Sequence, residues 1–340
     1  MGTNFPLPPP SAVVEPILAA ARGLEFRTFV VGFTRPRHYS REEHEALFRA
    51  LKIAAGDRLL ELWPGRDVDF RHPQVRFDVR HDLAVDIQIA PLFLAGRYRK
   101  LSREIPGSRW IHHRCRGRGC PACRHTGNTC GPSVQELVSG PVLAATGGES
   151  TLFHSLGRED TDARMLGRGR PFVLEVFRPL RRSLEIGPLA TRINQGAAGL
   201  AEIHRLSPVE REAARAVKAA AAEKSYRALV EADLIPPHDS ESRAAALSGR
   251  EIRQLSPTRV AARRGWDTLR LKRVIEARWL GPCGERYLFE VRAEAGTYVK
   301  ELISGDRGRT VPSLSEVLGV PCRCASLDVL EVHWDPPWEN

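Results

Sequence analysis

The pattern of apolar and polar positions along the chain predicts more strands than helices. Alternating or short continuous apolar runs, bounded by turn residues, are typical of strands. Such runs occupy residues 26–33, 75–79, 83–89, 172–177, 226–230, 269–280, 287–293 and 327–332. Most links between them are short, and there is no regular βαβ period and no internal repeat. We therefore expect an α+β fold with a mixed, largely antiparallel sheet.

Helix signals are fewer and lie between the predicted strands. Ser40 with Glu43 forms a capping box ahead of helically spaced apolar residues. Ser207 with Glu210 forms a second capping box, which predicts an Ala-rich helix ending near residue 222. Two further helices are expected, one from about Tyr298 and one over residues 314–318.

A length of 340 residues is enough for about two domains. A Gly-rich stretch at residues 140–148 marks the expected boundary, which gives one domain over 24–146 and another over 147–340. Five prolines among residues 1–23 predict a flexible tail there. The sequence shows no signal or transit peptide, and no run of the roughly 20 apolar residues that a membrane span needs. We expect a cytoplasmic monomer without membrane contact.

Charge points to a polyanionic partner. Lys and Arg number 51 against 41 Asp and Glu, a net charge of +10, which favours nucleic acid as the partner. Residues 97–124 hold nine Lys or Arg against one acid, Glu104, with Tyr98 and Trp110 among them. Because cations track phosphates and flat rings stack on bases, this basic segment predicts an RNA-binding surface.

The cysteines suggest a reducing compartment and one possible metal site. Seven cysteines, an odd number in a chain long enough to form its own core, are more typical of the cytoplasm than of a disulfide-bonded protein. His112, Cys115, Cys120 and Cys123 have the paired spacing of a small zinc site, although the gap between the pairs is short for a zinc ribbon. Reduced thiols in a Gly-rich basic loop, with Cys130 beyond them, are the alternative, and the sequence leaves structural zinc open.

A charged loop at residues 157–172 stands out once common cofactor motifs are ruled out. The sequence has no P-loop, no G-x-G-x-x-G turn after a strand, no H-E-x-x-H and no G-x-S-x-G elbow. The loop reads GREDTDARMLGRGRPF, with three acids and four arginines just before a predicted strand. A carboxylate among guanidinium groups stays ionised, ready as a nucleophile or base. The ordinary alternative is a surface loop of mutual ion pairs.

This loop resembles the catalytic motif of the archaeal and eukaryotic tRNA pseudouridine synthases that carry a THUMP-containing N-terminal region. Their pattern G-R-E-D-x-D-x-R-x-L-G-x-G-R-P-F is matched at every defined position. Similar matches occur in GRYRKL at 96–101, SVQEL at 133–137, KSY at 224–226 and AGTYVKEL at 295–302. The Arg-rich element at 256–264 departs, with alanines where the family tends to have Leu-His. The resemblance implies an archaeal-like member with the pseudouridine synthase fold behind an α/β THUMP-containing domain.

The resemblance also implies a reaction and its residues. Asp160 would be the catalytic aspartate for isomerising uridine 54, uridine 55 or both in the TΨC arm of tRNA. Tyr226 would stack on the flipped target base, and Lys300 would pair with the catalytic carboxylate. Leu302 would line the uracil pocket, and Arg164 would contact phosphate or organise the loop. The family's reaction needs no cofactor and no metal, so we assign none.

Two other functions remain open at this stage. A protein that grips tRNA without chemistry would share the basic segment. An RNA methyltransferase with a THUMP region would need a Gly-rich cofactor turn after a strand, and none is visible.

Overall fold

The computed structural model describes residues 8–35, 40–129, 131–259 and 267–339. Its contacts group the chain into two compact units. The first comprises residues up to Phe93 together with Pro141–Leu152 and Glu175–Glu185. The second comprises Leu94–Gly140, Phe153–Leu174 and the residues from Ile186 onward. The predicted domain boundary near residue 147 stays a prediction. The contacts place residues 94–140 in the second unit, whereas the sequence pattern assigned these residues to the N-terminal domain.

The first unit combines helices with a small sheet. Its elements are α1 Pro10–Ala20, α2 Arg41–Leu62, β1 Thr28–Phe33, β2 Asp67–Val68, β3 Val75–Val79 and β4 Val85–Ile89. The strand order is β2-β1-β3-β4, with β1 parallel to both neighbours and β4 antiparallel to β3. Trp63 packs edge-on against the fully buried Phe29, with ring centroids 5.2 Å apart. The strands and the helix predicted in this region are confirmed.

The flexible tail predicted over residues 1–23 is wrong for the part of it that the structure describes. Residues 10–20 form α1, with Pro10 at its first position, where no backbone N–H is needed. Val13 and Ile17 are fully buried one helical turn apart and belong to the core of the first unit. The five prolines suggested a loose tail and so concealed this helical spacing. Apolar residues four apart still face one side of the helix, although Pro16 lies inside it.

The second unit is built on a mixed sheet of ten strands within the described ranges. These are β5 Leu92–Lys100, β6 Ser150–Ser155, β7 Ala163–Phe177, β8 Ala201–Val209, β9 Glu223–Ala232, β10 Glu251–Gln254, β11 Arg270–Cys283, β12 Arg286–Ala293, β13 Thr310–Val311 and β14 Cys322–His333. The order is β13-β10-β11-β12-β9-β14-β7-β5-β8, and β6 pairs with β7. Strand β14 is antiparallel to β9 and parallel to β7. The expected α+β class is confirmed.

The remaining helices connect these strands. They are α3 Val134–Thr146, α4 Ile186–Gly196, α5 Arg211–Ala219, α6 Ser240–Ala245, α7 Val299–Ser304 and α8 Leu314–Leu318, with short 3₁₀ turns at Pro121–Cys123 and Gly305–Gly308. The helices predicted near Tyr298 and over 314–318 are confirmed. Among the helices of the described residues, none combines the length and the apolar character needed to cross a bilayer.

The capping box predicted at Ser207 is wrong. Ser207 and Pro208 lie in β8, and the helix begins only at Arg211, after Glu210, whose side chain makes no capping hydrogen bond. Strand pairing outweighs the local helix signal at this position.

Candidate active site

Asp160 lies in the loop between β6 and β7, inside the matched motif. The loop turns at Gly157, whose φ of +77° is unfavourable for residues other than glycine. It closes with a hydrogen bond from the Ala163 N–H to the Asp160 carbonyl at 3.1 Å. The Asp160 side chain is 42% exposed. A substrate can therefore reach this carboxylate.

Two cations converge on one oxygen of Asp160. Nη1 of Arg259 lies 3.1 Å from Oδ2, and Nζ of Lys300 lies 3.3 Å from the same atom. Lys300 is in the first turn of α7, and its side chain is only 21% exposed. The family resemblance implied that Lys300 pairs with Asp160, and the two side chains are in contact. The role of Lys300 in substrate binding stays a prediction.

Lys300 is shared with a second carboxylate, that of Asp162. Its Nζ donates to both oxygens of Asp162 at 2.8 and 2.7 Å, closer than its contact with Asp160. Burial would lower the pKa of Lys300, but the hydrogen bond to Asp162 and the charge of Asp160 outweigh it and raise that pKa. Partial burial raises the pKa of Asp162, but the hydrogen bond from Lys300 lowers it by more, so the pKa of Asp162 is lowered overall. Lys300 therefore remains a full positive charge beside both acids.

Arg259 is held by Glu301, the neighbour of Lys300 in α7. Nε of Arg259 donates to Oε1 of Glu301 at 2.7 Å, and Glu301 is buried. Burial disfavours the charged guanidinium, yet the carboxylates of Glu301 and Asp160 raise the pKa of Arg259. Sequence reasoning missed both residues. The Arg-rich element at 256–264 was the available signal, but the sequence does not say which arginine reaches Asp160.

The residue before Asp160 is anchored in the protein interior. Glu159 forms an ion pair with Arg170 at 2.9 Å, and each side chain is 1% exposed. The Tyr98 hydroxyl donates to Glu159 at 3.1 Å, and Nη1 of Arg170 donates to the Leu156 carbonyl at 2.6 Å. This buried network fixes the motif loop from inside. The expectation that Tyr98 stacks on RNA bases is wrong, because its side chain is fully buried in this network.

Lys100 ties the same loop to the end of β5. Its Nζ donates to the carbonyl oxygens of Thr161 at 2.7 Å and Ile105 at 2.9 Å. The side chain is fully buried, and burial lowers the pKa of Lys100 to about 8. Lys100 thus links the motif loop to the chain that follows β5, and it is not available to a polyanion.

The basic segment at 97–124 divides into interior and surface residues. Arg97 is fully buried and pairs with Glu339 at 2.8 Å. Four other members of the segment are exposed and have no ion-pair partner among the residues that the structure describes: Arg114, Arg116, Arg118 and Arg124. The free positive charge therefore lies in the later part of the segment.

Tyr226 lies on β9, between β12 and β14. It is buried, and burial raises the pKa of its hydroxyl to about 12, although the charge of Arg170 acts against the shift. Because the charges of Arg170 and Glu159 both act on this hydroxyl, Tyr226 lies near the network that anchors the motif loop. Its stacking on a base stays a prediction.

Leu302 and Arg164 occupy interior and structural positions. Leu302 is fully buried in α7. Arg164 donates to both oxygens of Asp328 on β14 at 2.9 and 2.7 Å. That pairing joins two adjacent parallel strands, as expected for a loop organiser. Contacts of either residue with substrate stay predictions.

Four side chains that can bind a metal meet in residues 108–129, the cysteine loop. The ligand atoms of His112, Cys115, Cys120 and Cys123 all lie within 4.8 Å of one another. Cys130 lies outside the described residues. The spacing that suggested a zinc site in the sequence therefore corresponds to a real cluster.

Comparison with known proteins gives this site a family. A family model described as "Pus10, C-terminal" matches residues 93–333, more than two thirds of the chain. The chain belongs to the Pus10 family. Proteins named tRNA pseudouridine synthase Pus10 are similar to it over most of the chain. That of Methanothrix thermoacetophila is 44% identical over 82% of this chain and 62% of its own length. That of Methanothermobacter marburgensis is 46% identical over 78% and 66%, and that of Methanopyrus kandleri is 38% identical over 93% and 76%.

The chain spans less than two thirds of the length of the first two of these Pus10 relatives. Among solved structures, a Cbf5-Nop10-Gar1 complex is similar with a TM-score of 0.37 and 23% identity, over 59% of this chain and 46% of that chain. An archaeal box H/ACA sRNP Nop10-Cbf5 complex gives 0.34 and 19%, over 59% and 44%. At these TM-scores the likeness decides neither fold nor function.

The site of this Pus10 family member has the elements of acid–base or nucleophilic chemistry. An accessible carboxylate contacts two cations, and a buried ion pair holds the neighbouring residue. Such a carboxylate can attack an electrophilic carbon or remove a proton.

Proposed function

We propose that this chain is a cytoplasmic, monomeric tRNA pseudouridine synthase that acts on uridine 54, uridine 55 or both in the TΨC arm. Asp160 is the catalytic residue of this proposal. The observation that carries it is the half-exposed Asp160 carboxylate, in contact with Arg259 and Lys300 inside a complete match to the family motif. The names of the Pus10 relatives add support.

The reaction rearranges one nucleotide without an outside reagent. The bond from N1 of uracil to C1′ of ribose breaks, the base turns, and a bond from C5 to C1′ forms. C5 loses a proton and N1 gains one, so atoms and electrons balance without a cofactor. Asp160 either attacks the ribose or takes a proton from it while positive charge develops on the sugar. The two cations hold the orientation of the carboxylate before the substrate arrives.

The remaining roles follow from position. Arg259 and Lys300 orient Asp160, and Glu301 orients Arg259. Tyr226 stacks on the uracil after the nucleotide leaves the RNA stack, and Leu302 contributes an apolar wall to the uracil pocket. Because Tyr226 is buried in the free protein, this proposal requires local rearrangement when the base enters.

Phosphate contacts come from the exposed arginines of the cysteine loop. Guanidinium groups pair with phosphate oxygens in bidentate fashion, and neutralising phosphates makes binding salt-dependent. The residues assigned to this contact are Arg114, Arg116, Arg118 and Arg124.

The decisive experiment maps pseudouridine chemically in an unmodified tRNA transcript after incubation with the purified chain. We expect product at position 54, 55 or both with the native chain, and none with Asp160→Asn, which preserves side-chain size. Asp239→Asn is the matched control, because Asp239 is a surface acid paired with Arg243 one helical turn away. Product from Asp160→Asn would overturn the assignment of the catalytic residue. Tight tRNA binding by the native chain without any product would instead favour the non-catalytic tRNA-binding function.

A second experiment addresses Lys300 alone. Lys300→Met removes the charge, whereas Lys300→Arg keeps it. We expect a lower kcat in the methionine variant, partial recovery in the arginine variant, and an unchanged dissociation constant for tRNA. Full activity of Lys300→Met would contradict the proposed orienting role.

A further inference from the structure

The cysteine loop lacks a hydrophobic core of its own. Over residues 108–129, the buried residues are Cys123, Gly127 and Asn128. Ile111 is 57% exposed. A segment that buries so little apolar surface needs another source of stability, and bound metal is the usual one in small modules.

The same loop nevertheless makes several tight turns. Arg116, Arg124 and His125 have φ values of +50°, +50° and +61°, a region that residues other than glycine seldom adopt. Gly119 has φ of +88°, and a Cβ there would lie 2.7 Å from the His125 carbonyl oxygen. Such conformations each cost about 1 kcal/mol or more and persist only where the surroundings impose them.

Four of the six separations among the ligand atoms match a metal-centred tetrahedron. Zinc at its usual distances from sulfur and imidazole nitrogen requires about 3.8 Å between two sulfurs and about 3.6 Å between sulfur and nitrogen. The Sγ of Cys123 lies 3.9 Å from Sγ of Cys115 and 3.7 Å from Sγ of Cys120. Nδ1 of His112 lies 3.4 Å from Sγ of Cys115 and 3.6 Å from Sγ of Cys120. These four edges fall within about 0.2 Å of the tetrahedral values, and all six edges are at most 4.8 Å.

Backbone donors point at the most buried of these sulfurs. The N–H groups of Cys120 and Gly127 donate to Sγ of Cys123 at 3.2 and 3.3 Å. Hydrogen bonds of this kind orient and stabilise a metal-bound thiolate. A disulfide explains the cluster less well than a metal does. It would join only two sulfurs, at about 2.05 Å, and would not explain why the third sulfur and the imidazole lie beside them.

We propose that His112, Cys115, Cys120 and Cys123 bind one structural zinc ion, with His112 coordinating through Nδ1. Three thiolates and one imidazole in a tetrahedron form a closed site, with no position left for water, so the ion supplies structure and no chemistry. This goes beyond the isomerase reaction, which needs no metal.

Zinc would also shape the surface that meets RNA, a consequence that rests on the proposed function. Arg114 and Arg116 flank one ligand, and Arg118 and Arg124 lie close to the other two cysteines in sequence. Their positions depend on turns that the metal would hold. The base of the loop contacts the motif loop, since Nη1 of Arg158 donates to Oγ of Ser108 at 2.9 Å. The metal would therefore fix the positions of four phosphate-binding cations in a loop whose base contacts the motif loop.

The first test measures metal directly and does not depend on activity. The full chain, expressed with zinc in the medium and purified under reducing conditions without chelator, is analysed by inductively coupled plasma mass spectrometry. We expect about one zinc per chain, loss of most of it in Cys120→Ser, and retention in Cys283→Ser, which changes an exposed cysteine outside the cluster. Far less than one zinc in the native chain, iron in its place, or equal zinc in both variants would overturn the proposal.

A second measurement on the unmutated chain guards against a variant that simply misfolds. After removal of metal, titration with Co²⁺ should give tetrahedral ligand-field bands and a thiolate charge-transfer band that saturate at one equivalent. Saturation without thiolate charge transfer would refute the ligand set.

Affinity for tRNA then separates this inference from the proposed function. We expect Cys120→Ser to bind tRNA at least tenfold more weakly, with a shallower dependence on salt. One zinc per chain with unchanged tRNA affinity would leave the metal site standing and reject its role at the RNA surface. Absence of pseudouridine formation by a zinc-loaded chain would reject the proposed function and leave the site intact.

Discussion

The ion pair between Glu159 and Arg170 supports a quantitative prediction about stability. Both side chains are 1% exposed, and their charged atoms lie 2.9 Å apart. Removing one partner of such a pair leaves an uncompensated buried charge, at a cost of about 3–5 kcal/mol. Arg170→Met removes the guanidinium and nearly keeps the volume. We expect it to lower the free energy of unfolding by that amount, which is roughly a hundredfold to a few thousandfold in the unfolding equilibrium.

The control is an exposed pair of the same chemistry. Arg243 and Asp239 lie 2.8 Å apart, but their side chains are 43% and 55% exposed. Pairs at this spacing on a helix surface contribute about 0.3–0.5 kcal/mol, so Arg243→Met should change stability very little.

Urea unfolding followed by tryptophan fluorescence measures both variants. Adding Glu159→Gln to Arg170→Met should restore part of the lost stability, because the second change removes the stranded charge. Equal costs for Arg170→Met and Arg243→Met would refute the reasoning, as would a double variant less stable than Arg170→Met alone.

Three further predictions test other parts of the molecule. Burial lowers the pKa of Lys100 to about 8. Between about pH 8 and 10 the unfolded chain therefore binds a proton that the folded chain does not, and the free energy of unfolding should rise with pH. Urea titrations should give a smaller rise for Lys100→Met and the native rise for Lys218→Met, a change at the surface. Glu301→Gln should lower kcat for pseudouridine formation about tenfold and leave KM for tRNA unchanged. The substitution weakens the charge-assisted hydrogen bond that orients Arg259, and such a bond contributes about 1.5–3 kcal/mol. Ile17→Ala should cost about 2–5 kcal/mol by thermal or urea unfolding, whereas the exposed neighbour change Glu15→Ala should cost under about 0.5 kcal/mol.

Local patterns in the sequence predicted those elements whose stability is decided locally. The alternating run at 75–79 and the helix at 314–318 match the structure at both ends. The capping box at Ser207 failed because Ser207 pairs in a sheet whose other strands come from distant parts of the chain. Helix α1 was missed although its signal is local. The five prolines suggested a loose tail, but the helical spacing of Val13 and Ile17 decides which residues are buried.

The candidate site divides in a similar way. Two matched motifs supplied Asp160 and Lys300, because each residue lies in a contiguous pattern. Arg259 and Glu301 are 42 residues apart and meet only in the folded chain. The basic residues around Tyr98 predicted an exposed aromatic ring on an RNA-binding surface. In the structure Tyr98 lies in β5, and its side chain points inward and contacts Glu159. Alternation along a strand predicts which residues share a face, and the partners of that face come from tertiary structure.

Strand β14 has a consequence for how the protein is made. It lies between β9 and β7, yet it begins 90 residues after β9 ends, since β9 ends at residue 232 and β14 begins at residue 322. A ribosome adding about 5–20 residues per second needs about 5–20 s to cover that interval. During it, β7 and β9 each present an open edge, which is a template for wrong pairing. Chains terminated before residue 322 cannot join the two halves of the sheet, so we expect truncated products to aggregate and fast, complete synthesis to favour soluble protein.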